Sequence, residues 1–209
     1  SVRFAARLLK RSDIRGTSLT LAGDWCLAAA LAMAAAWFAT AVFPHLESPW
    51  DDVAWYVVAE LLLCPLIAVL GARRPGVAVW NWFVLLPLLT VLGWPVALAA
   101  SSGGAPGSFT LEAPPLLGLL LVLLMGCGNY VGTRFVLPVL LLAGAVLLLI
   151  LPLAPGIAWP LTADASRLLA VWCVGGAALT GRLAARRPRA DASGPDRVWH
   201  DFRDQFGIV

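Results

Sequence analysis

The chain has 209 residues, of which 60% are hydrophobic and 13% are charged, and its mean hydropathy is +0.84. Soluble domains average about 45–50% apolar and about 25% charged residues, so this composition excludes a soluble enzyme, a nucleic-acid-binding protein and a disordered chain. We therefore predict an all-α, polytopic integral membrane bundle in contact with the lipid bilayer. The net charge of +3 is informative only through its distribution along the chain.

Residues 1–20 form a basic segment ahead of the first apolar stretch. Four of its cationic side chains fall on one face of a helical projection, and apolar side chains fill much of the rest. The pattern favours an amphipathic helix in the lipid headgroup region or, equally, a short solvated tail that anchors the topology. The residues on the basic face are Arg3, Arg7, Lys10 and Arg11.

Six apolar stretches follow within residues 21–185, which we predict to be the transmembrane domain. Each is close to the length of about 20 residues that an α-helix needs to cross the hydrocarbon core. Prolines interrupt the third and the fifth stretch. The predicted spans are residues 21–43, 53–71, 77–99, 114–132, 135–154 and 166–185.

The 15 Lys and Arg residues alternate with the predicted spans. All of them except Arg167 lie in segments that six spans place on one side of the membrane, and the loops of the other side carry none. Because basic loops stay in the cytoplasm, we predict that both termini are cytoplasmic. The abundance of Ala, Gly, Leu and Pro is typical of a GC-rich bacterial genome, and we predict that the multi-pass bundle lies in the inner membrane of a bacterium. The basic segments are 1–20, 72–76, 132–135 and 182–209, and the loops without basic residues are 44–52, 100–113 and 155–165.

Residues 186–209 form a polar tail on the same predicted side as the N-terminus. Trp199, Phe202 and Phe206 recur at i, i+3 and i+7, which places them on one side of a helix. The tail is therefore either an interfacial helix or the start of a cytoplasmic element that packs on a partner. The chain begins at Ser1 rather than Met and stops on apolar residues, so we expect a fragment that is truncated at least at its C-terminus.

Glu60 is the most unusual residue of the predicted spans. It lies about seven residues into the second span, roughly 10 Å below the membrane boundary, where an ionisable group is costly and points to function. Tyr56, Glu60, Cys64 and Ile67 share one helical face, so we expect Tyr56 to help satisfy Glu60. Arg167 enters the sixth span from the same side, so we predict a Glu60–Arg167 ion pair that holds the second and sixth spans together. A proton or cation path through Glu60 is the alternative.

Residues 126–135 are the most motif-like stretch of the chain. Gly128 and Gly132 have the spacing that lets two membrane helices approach closely. Asn129 is suited to a hydrogen bond across such a contact, and Arg134 follows at the turn into the fifth span. We predict a helix-packing hairpin built from these four residues, and a tight Gly-rich turn between the fourth and fifth spans is the simpler interpretation.

Motifs for catalysis and cofactor binding are lacking. The two His and four Cys residues form no H-E-x-x-H and no C-x-x-C motif, so we predict neither haem ligation by paired His residues nor a metal site. There is no G-x-S-x-G motif and no P-loop. We therefore expect no enzymatic activity and no cofactor.

Three functions agree with these features. The first is a non-catalytic subunit or scaffold of a larger bacterial inner-membrane complex, whose partners are other membrane protein subunits. The second is a small transporter or channel with Glu60 in its path and with movable, proline-interrupted spans. The third is the membrane anchor of a cytoplasmic domain that follows residue 209.

Overall fold

The fold was derived from a computed structural model, and it is described for residues 20–42, 49–72, 78–101, 109–186, 194–196, 198–199 and 202. The predicted amphipathic segment 1–20, apart from its last residue, lies outside the described residues, and so does most of the tail 186–209. In the described part of the tail, the rings of Trp199 and Phe202 stack with centroids 6.4 Å apart. Their contact agrees with the common helical side predicted from their spacing.

Seven α-helices make up the regular structure of the described residues, and a short 3₁₀ turn at Leu151–Leu153 extends the sixth helix. No strand occurs among these residues, which confirms the predicted all-α class. The helices are α1 (Thr20–Val42), α2 (Trp50–Ala72), α3 (Ala78–Leu92), α4 (Trp94–Ser101), α5 (Ala113–Gly128), α6 (Val136–Ile150) and α7 (Ala163–Arg186).

Four of these helices are long and apolar enough to cross a membrane: α1, α2, α7, and α6 together with its 3₁₀ turn. The bent pair α3 and α4 makes a fifth candidate span. Helix α5 has 16 residues, or about 24 Å, which is shorter than a hydrocarbon core of about 30 Å. The predicted fourth span, 114–132, therefore extends past the helix, which ends at Gly128 in a turn. The protein is a bundle of membrane-type helices with four to five long candidate spans.

The predicted third span, 77–99, is broken at Gly93, where α3 and α4 meet at 41°. Pro95 explains the break, because proline has no N–H and its ring collides with the carbonyl group four residues earlier. Gly93 is required at the break itself, since a Cβ atom there would lie 2.6 Å from the carbonyl oxygen of Leu89. The bend is thus built into the local sequence.

Helix α2 lies at the centre of the bundle. In its apolar stretch 72% of the residues are buried, against 17% in α1, 22% in α6 and 11% in α7. Helix α2 packs on α1, α3, α5 and α6, whereas α7 packs chiefly along α6. Small residues allow close approach: Gly126 of α5 faces Leu66, and Gly181 of α7 faces Pro138. Any polar side chain in the middle of α2 is therefore enclosed by other helices rather than by lipid.

Candidate functional site

Arg167 lies in the second turn of α7 and is 8% exposed. Its Nη1 atom forms a salt bridge with Asp51, and its Nη2 atom lies 2.9 Å from Asp52 Oδ1. The guanidinium group also lies over the ring of Trp55, 5.6 Å from the centroid. We call Asp51, Asp52, Trp55 and Arg167 the Arg167 cluster, and it occupies the end of the bundle where α2 and α7 begin.

Helix geometry explains why the two aspartates lie where they do. Asp51 and Asp52 belong to the first turn of α2, where the partial positive charge of the helix N-terminus stabilises carboxylates. The Thr40 hydroxyl of α1 lies 3.3 Å from Asp51, and Trp37 makes an edge contact with Trp55 at 6.0 Å between centroids. The Arg167 cluster therefore joins α1, α2 and α7 at one end of the bundle.

The predicted partners Glu60 and Arg167 are not brought together. Arg167 is engaged by Asp51 and Asp52, and Glu60 follows Asp52 by two helical turns, or about 12 Å along α2. Arg167 thus connects the predicted second and sixth spans, as expected, but its partners on α2 are Asp51 and Asp52 rather than Glu60. The prediction placed both aspartates in the loop 44–52, because its second span began at residue 53, whereas the helix begins at Trp50.

Glu60 is 7% exposed, and its Oε1 atom is buried without a hydrogen-bond partner. Tyr56 and Cys64, one turn before and one turn after it on the same helical face, are buried too. The described residues of the helices around it, α1, α3, α5 and α6, contain no Lys, Arg or His. Within the described residues, the helices that pack on α2 therefore supply no cation to balance a negative charge on the buried Glu60 carboxyl group.

Tyr56 connects Glu60 to the bend in the third span. Its hydroxyl group donates a hydrogen bond of 2.7 Å to the carbonyl oxygen of Leu92, the last residue of α3. Tyr56 precedes Glu60 by four residues on the same face of α2, which makes the two side chains neighbours. The tyrosine ring packs on Phe109, with 5.4 Å between the centroids. The sequence predicted that Tyr56 helps to satisfy Glu60, but the bond to a backbone carbonyl at the break was not foreseen.

Two cavities lie beside the bend. One, of about 400 Å³, is lined by residues of α4, of the segment 109–112 and of the start of α5. The other, of about 450 Å³, shares Trp94, Glu112 and Pro115 with the first. Helix α4 therefore borders open space on the side that faces α5, whereas Leu92, at the break itself, is fully buried.

The predicted hairpin residues lie in the tight turn between α5 and α6. A Cβ atom at Gly128 would meet nothing within 4 Å, so this residue makes no close helix contact in the described structure. Gly132 has φ +75°, a turn conformation that favours glycine. Asn129 Nδ2 donates to the Met125 carbonyl group within the same helix at 3.2 Å, and the Arg134 guanidinium lies over the ring of Phe135. The simpler interpretation, a Gly-rich turn, describes this region better than a packing motif.

No group of three or more His, Cys, Asp or Glu side chains is placed to hold a metal ion within the described residues. The four Cys residues are present as free thiols. Comparison of the chain with known protein families, curated proteins and solved structures finds no match.

Proposed function

We propose that the chain is a small membrane transporter or channel in which Glu60 lies in the path of a proton or cation. The observation that carries this proposal is a buried carboxyl group with an unpartnered oxygen next to a broken span. Ionisable residues inside membrane helices mark ion pathways, and transporters place their sites at interrupted helices. Because Arg167 is engaged elsewhere, an ion pair no longer accounts for Glu60.

The proposal includes a topology of six spans in the inner membrane of a bacterium, with both termini in the cytoplasm. The bent pair α3 and α4 is then the third span and α5 is the fourth. The alternation of basic and non-basic loops supports this arrangement. Reporter fusions test it: a fluorescent-protein fusion after Arg74 or Arg186 should be bright, and a periplasmic phosphatase fusion after Thr162 should be active. An active phosphatase after Arg186 would contradict the topology.

Flux through reconstituted protein tests the function. Liposomes containing the full chain should dissipate an imposed H⁺, Na⁺ or K⁺ gradient faster than empty liposomes do. In the E60Q variant this rate should fall at least about tenfold, because the path loses its carboxyl group. A tenfold slower step corresponds to a barrier higher by about 1.4 kcal/mol. D164N is the control for a carboxylate-to-amide change, since the Asp164 side chain is 89% exposed in the first turn of α7 and lines neither cavity beside the bend. Equal flux in wild type and E60Q, or no flux in wild type, would exclude the proposed path.

A second candidate, the non-catalytic subunit or scaffold of a larger complex, is favoured by one surface of α7. Trp172 is 71% exposed, and a Cβ atom at Gly175 would meet nothing within 4 Å. Small residues beside large ones are typical of contacts between membrane helices. Purification in mild detergent should then recover stoichiometric partners that are lost in a G175L variant, and a wild-type chain recovered alone would argue against it. Nothing in the described residues favours the third candidate, the anchor of a further domain, which stays a prediction.

A further inference from the structure

We propose that Glu60 is a proton-binding site that controls the bend of the third span through the hydroxyl group of Tyr56. This inference rests on the proposed path at Glu60 and deepens it. It identifies the proton as the ion that binds, and the α3–α4 break as the element that responds.

The surroundings of Glu60 fit a proton better than a metal ion. Oε1 has no partner, and the described residues of the neighbouring helices supply no cationic side chain. Their other ionisable groups are few: Asp24 and Cys26 on α1 are exposed, Cys127 lies at the end of α5, and α3 and α6 contribute none. On α2 itself, Tyr56 and Cys64 flank Glu60, and Asp51 and Asp52 are engaged by Arg167. One carboxyl group is enough to bind a proton, whereas hard cations require about six oxygen ligands.

The hydrogen-bond directions explain how the proton acts. A hydroxyl group has one hydrogen to donate, and that of Tyr56 is used on the Leu92 carbonyl oxygen at 2.7 Å. A protonated Glu60 then donates to the Tyr56 oxygen, so the chain of donors runs from Glu60 through Tyr56 to Leu92. The O–H of the carboxylic acid and the Leu92 carbonyl group each have a hydrogen-bond partner in this state, whereas Glu60 Oε1 has none.

Loss of the proton reverses the direction of the hydrogen bond between Glu60 and Tyr56. The O–H bond of Glu60 breaks, its proton leaves to the aqueous phase, and the carboxylate keeps the electron pair. A carboxylate is a stronger acceptor than a neutral carbonyl group, so the Tyr56 hydroxyl turns its hydrogen from Leu92 to Glu60. The covalent O–H bond of Tyr56 stays intact, and its hydrogen bond to Leu92 is replaced by one to Glu60. The Leu92 carbonyl group then loses its side-chain donor.

Because of the position of Leu92, losing the hydrogen bond from Tyr56 affects the break between α3 and α4. Leu92 immediately precedes Gly93, where the helix is interrupted, and Pro95 in the next turn has no N–H to offer. Helix α4 adjoins cavities of about 400 and 450 Å³ on its α5 side, so it has room to change its angle. Deprotonation of Glu60 therefore frees α4 to change its angle relative to α3, and protonation keeps that angle fixed.

Infrared spectroscopy of the full chain in lipid tests the first half of the proposal. Raising the pH should remove the carbonyl-stretching band of a protonated carboxyl group. This change should be absent in E60Q and retained in D164N, and all variants should show the same helical content. The proposal is overturned if no such band titrates in wild type, or if the titrating band survives in E60Q.

Hydrogen exchange at Gly93–Ser101 tests the second half, with rates corrected for the intrinsic pH dependence and α6 as the internal reference. Exchange in this segment should become about tenfold faster after deprotonation, as expected for one lost hydrogen bond. E60Q should stay slow at every pH, and Y56F should be fast at every pH while its Glu60 band remains. A segment that exchanges at the same rate in wild type, E60Q and Y56F would overturn the control of the bend.

The two proposals fail in distinguishable ways. A titrating Glu60 and a pH-dependent bend without any flux in liposomes would exclude the transporter and leave the proton-operated bend standing. A flux that depends on Glu60, without a titrating band or a change at the bend, would exclude the proton-operated bend and leave an ion path standing.

Discussion

The Arg167 cluster and Glu60 lie two helical turns apart on α2, and the bundle surrounds them differently. In the cluster, two carboxylates meet one guanidinium group, which also lies over an aromatic ring. At Glu60, one carboxyl group is enclosed and its Oε1 atom has no partner. Buried charge is costly when unpaired and roughly neutral when paired. Paired charges such as those of the Arg167 cluster are typical of a structural role. An enclosed carboxyl group without a partner, such as Glu60, is typical of a functional residue in a membrane helix.

The difference follows from position along the helix. Asp51 and Asp52 lie in the first turn of α2, where the helix dipole favours them and where about a fifth of each side chain is exposed. Glu60 lies where α1, α3, α5 and α6 close around α2. The Arg167 cluster links α2 to α7, which packs chiefly on α6, and so it specifies how the ends of these helices are arranged.

Removing the cation of the cluster should have the largest effect on stability. In R167M two carboxylates would remain without their partner, and breaking a buried pair costs about 3–5 kcal/mol. We expect about 3 kcal/mol, the lower end, because the aspartates are partly exposed. The measurement is the free energy of unfolding in mixed micelles titrated with SDS.

The triple variant D51N/D52N/R167M is the control for this prediction. It should recover part of the lost stability, because the uncompensated charges are removed together with their partner. A triple variant as unstable as R167M would indicate that the arginine stem, rather than its charge, stabilises this end of the bundle.

The bend should be the next most sensitive feature. In G93A the new Cβ atom would lie 2.6 Å from a backbone oxygen, and such overpacking costs about 1–3 kcal/mol. G128A is the matched control, because a Cβ atom there meets nothing within 4 Å. The same SDS titration should show a loss of about 2 kcal/mol in G93A alone. Equal stability of both variants would show that the break tolerates side chains.

The sequence was sufficient where the signal is periodic. The helical class and the common face of Tyr56, Glu60 and Cys64 follow from spacing along one helix. The partners of Arg167 did not follow from spacing, because Asp52 and Asp51 lie one and two residues before the predicted span. They are also more than 100 positions from Arg167 in the chain. The hydrogen bond from Tyr56 to the Leu92 carbonyl group could not be predicted either, since a backbone acceptor at a helix break leaves no residue-specific pattern in the sequence.

Glu60 should behave in the opposite way to Arg167. A buried acceptor without a partner costs about 1–3 kcal/mol, so E60M, which removes it and keeps a similar volume, should be more stable than wild type by about 1 kcal/mol in the SDS titration. The same variant should lose the flux proposed for Glu60. If E60M is instead as unstable as R167M, the carboxyl group is satisfied in the membrane and the contrast between the two regions fails.

The smallest effect is expected at the rim of the cluster. Asp164 lies 3.7 Å from Arg167, but its side chain is 89% exposed, and exposed ion pairs are worth about 0–1 kcal/mol. D164N should therefore change the free energy of unfolding by less than about 0.5 kcal/mol, whereas D52N, which removes a negative charge 2.9 Å from the guanidinium group, should cost clearly more. If D164N costs as much as D52N, all three carboxylates share the arginine equally. The cluster would then be a solvated charge network rather than a buried pairing on α2, and its contrast with Glu60 would be one of exposure alone.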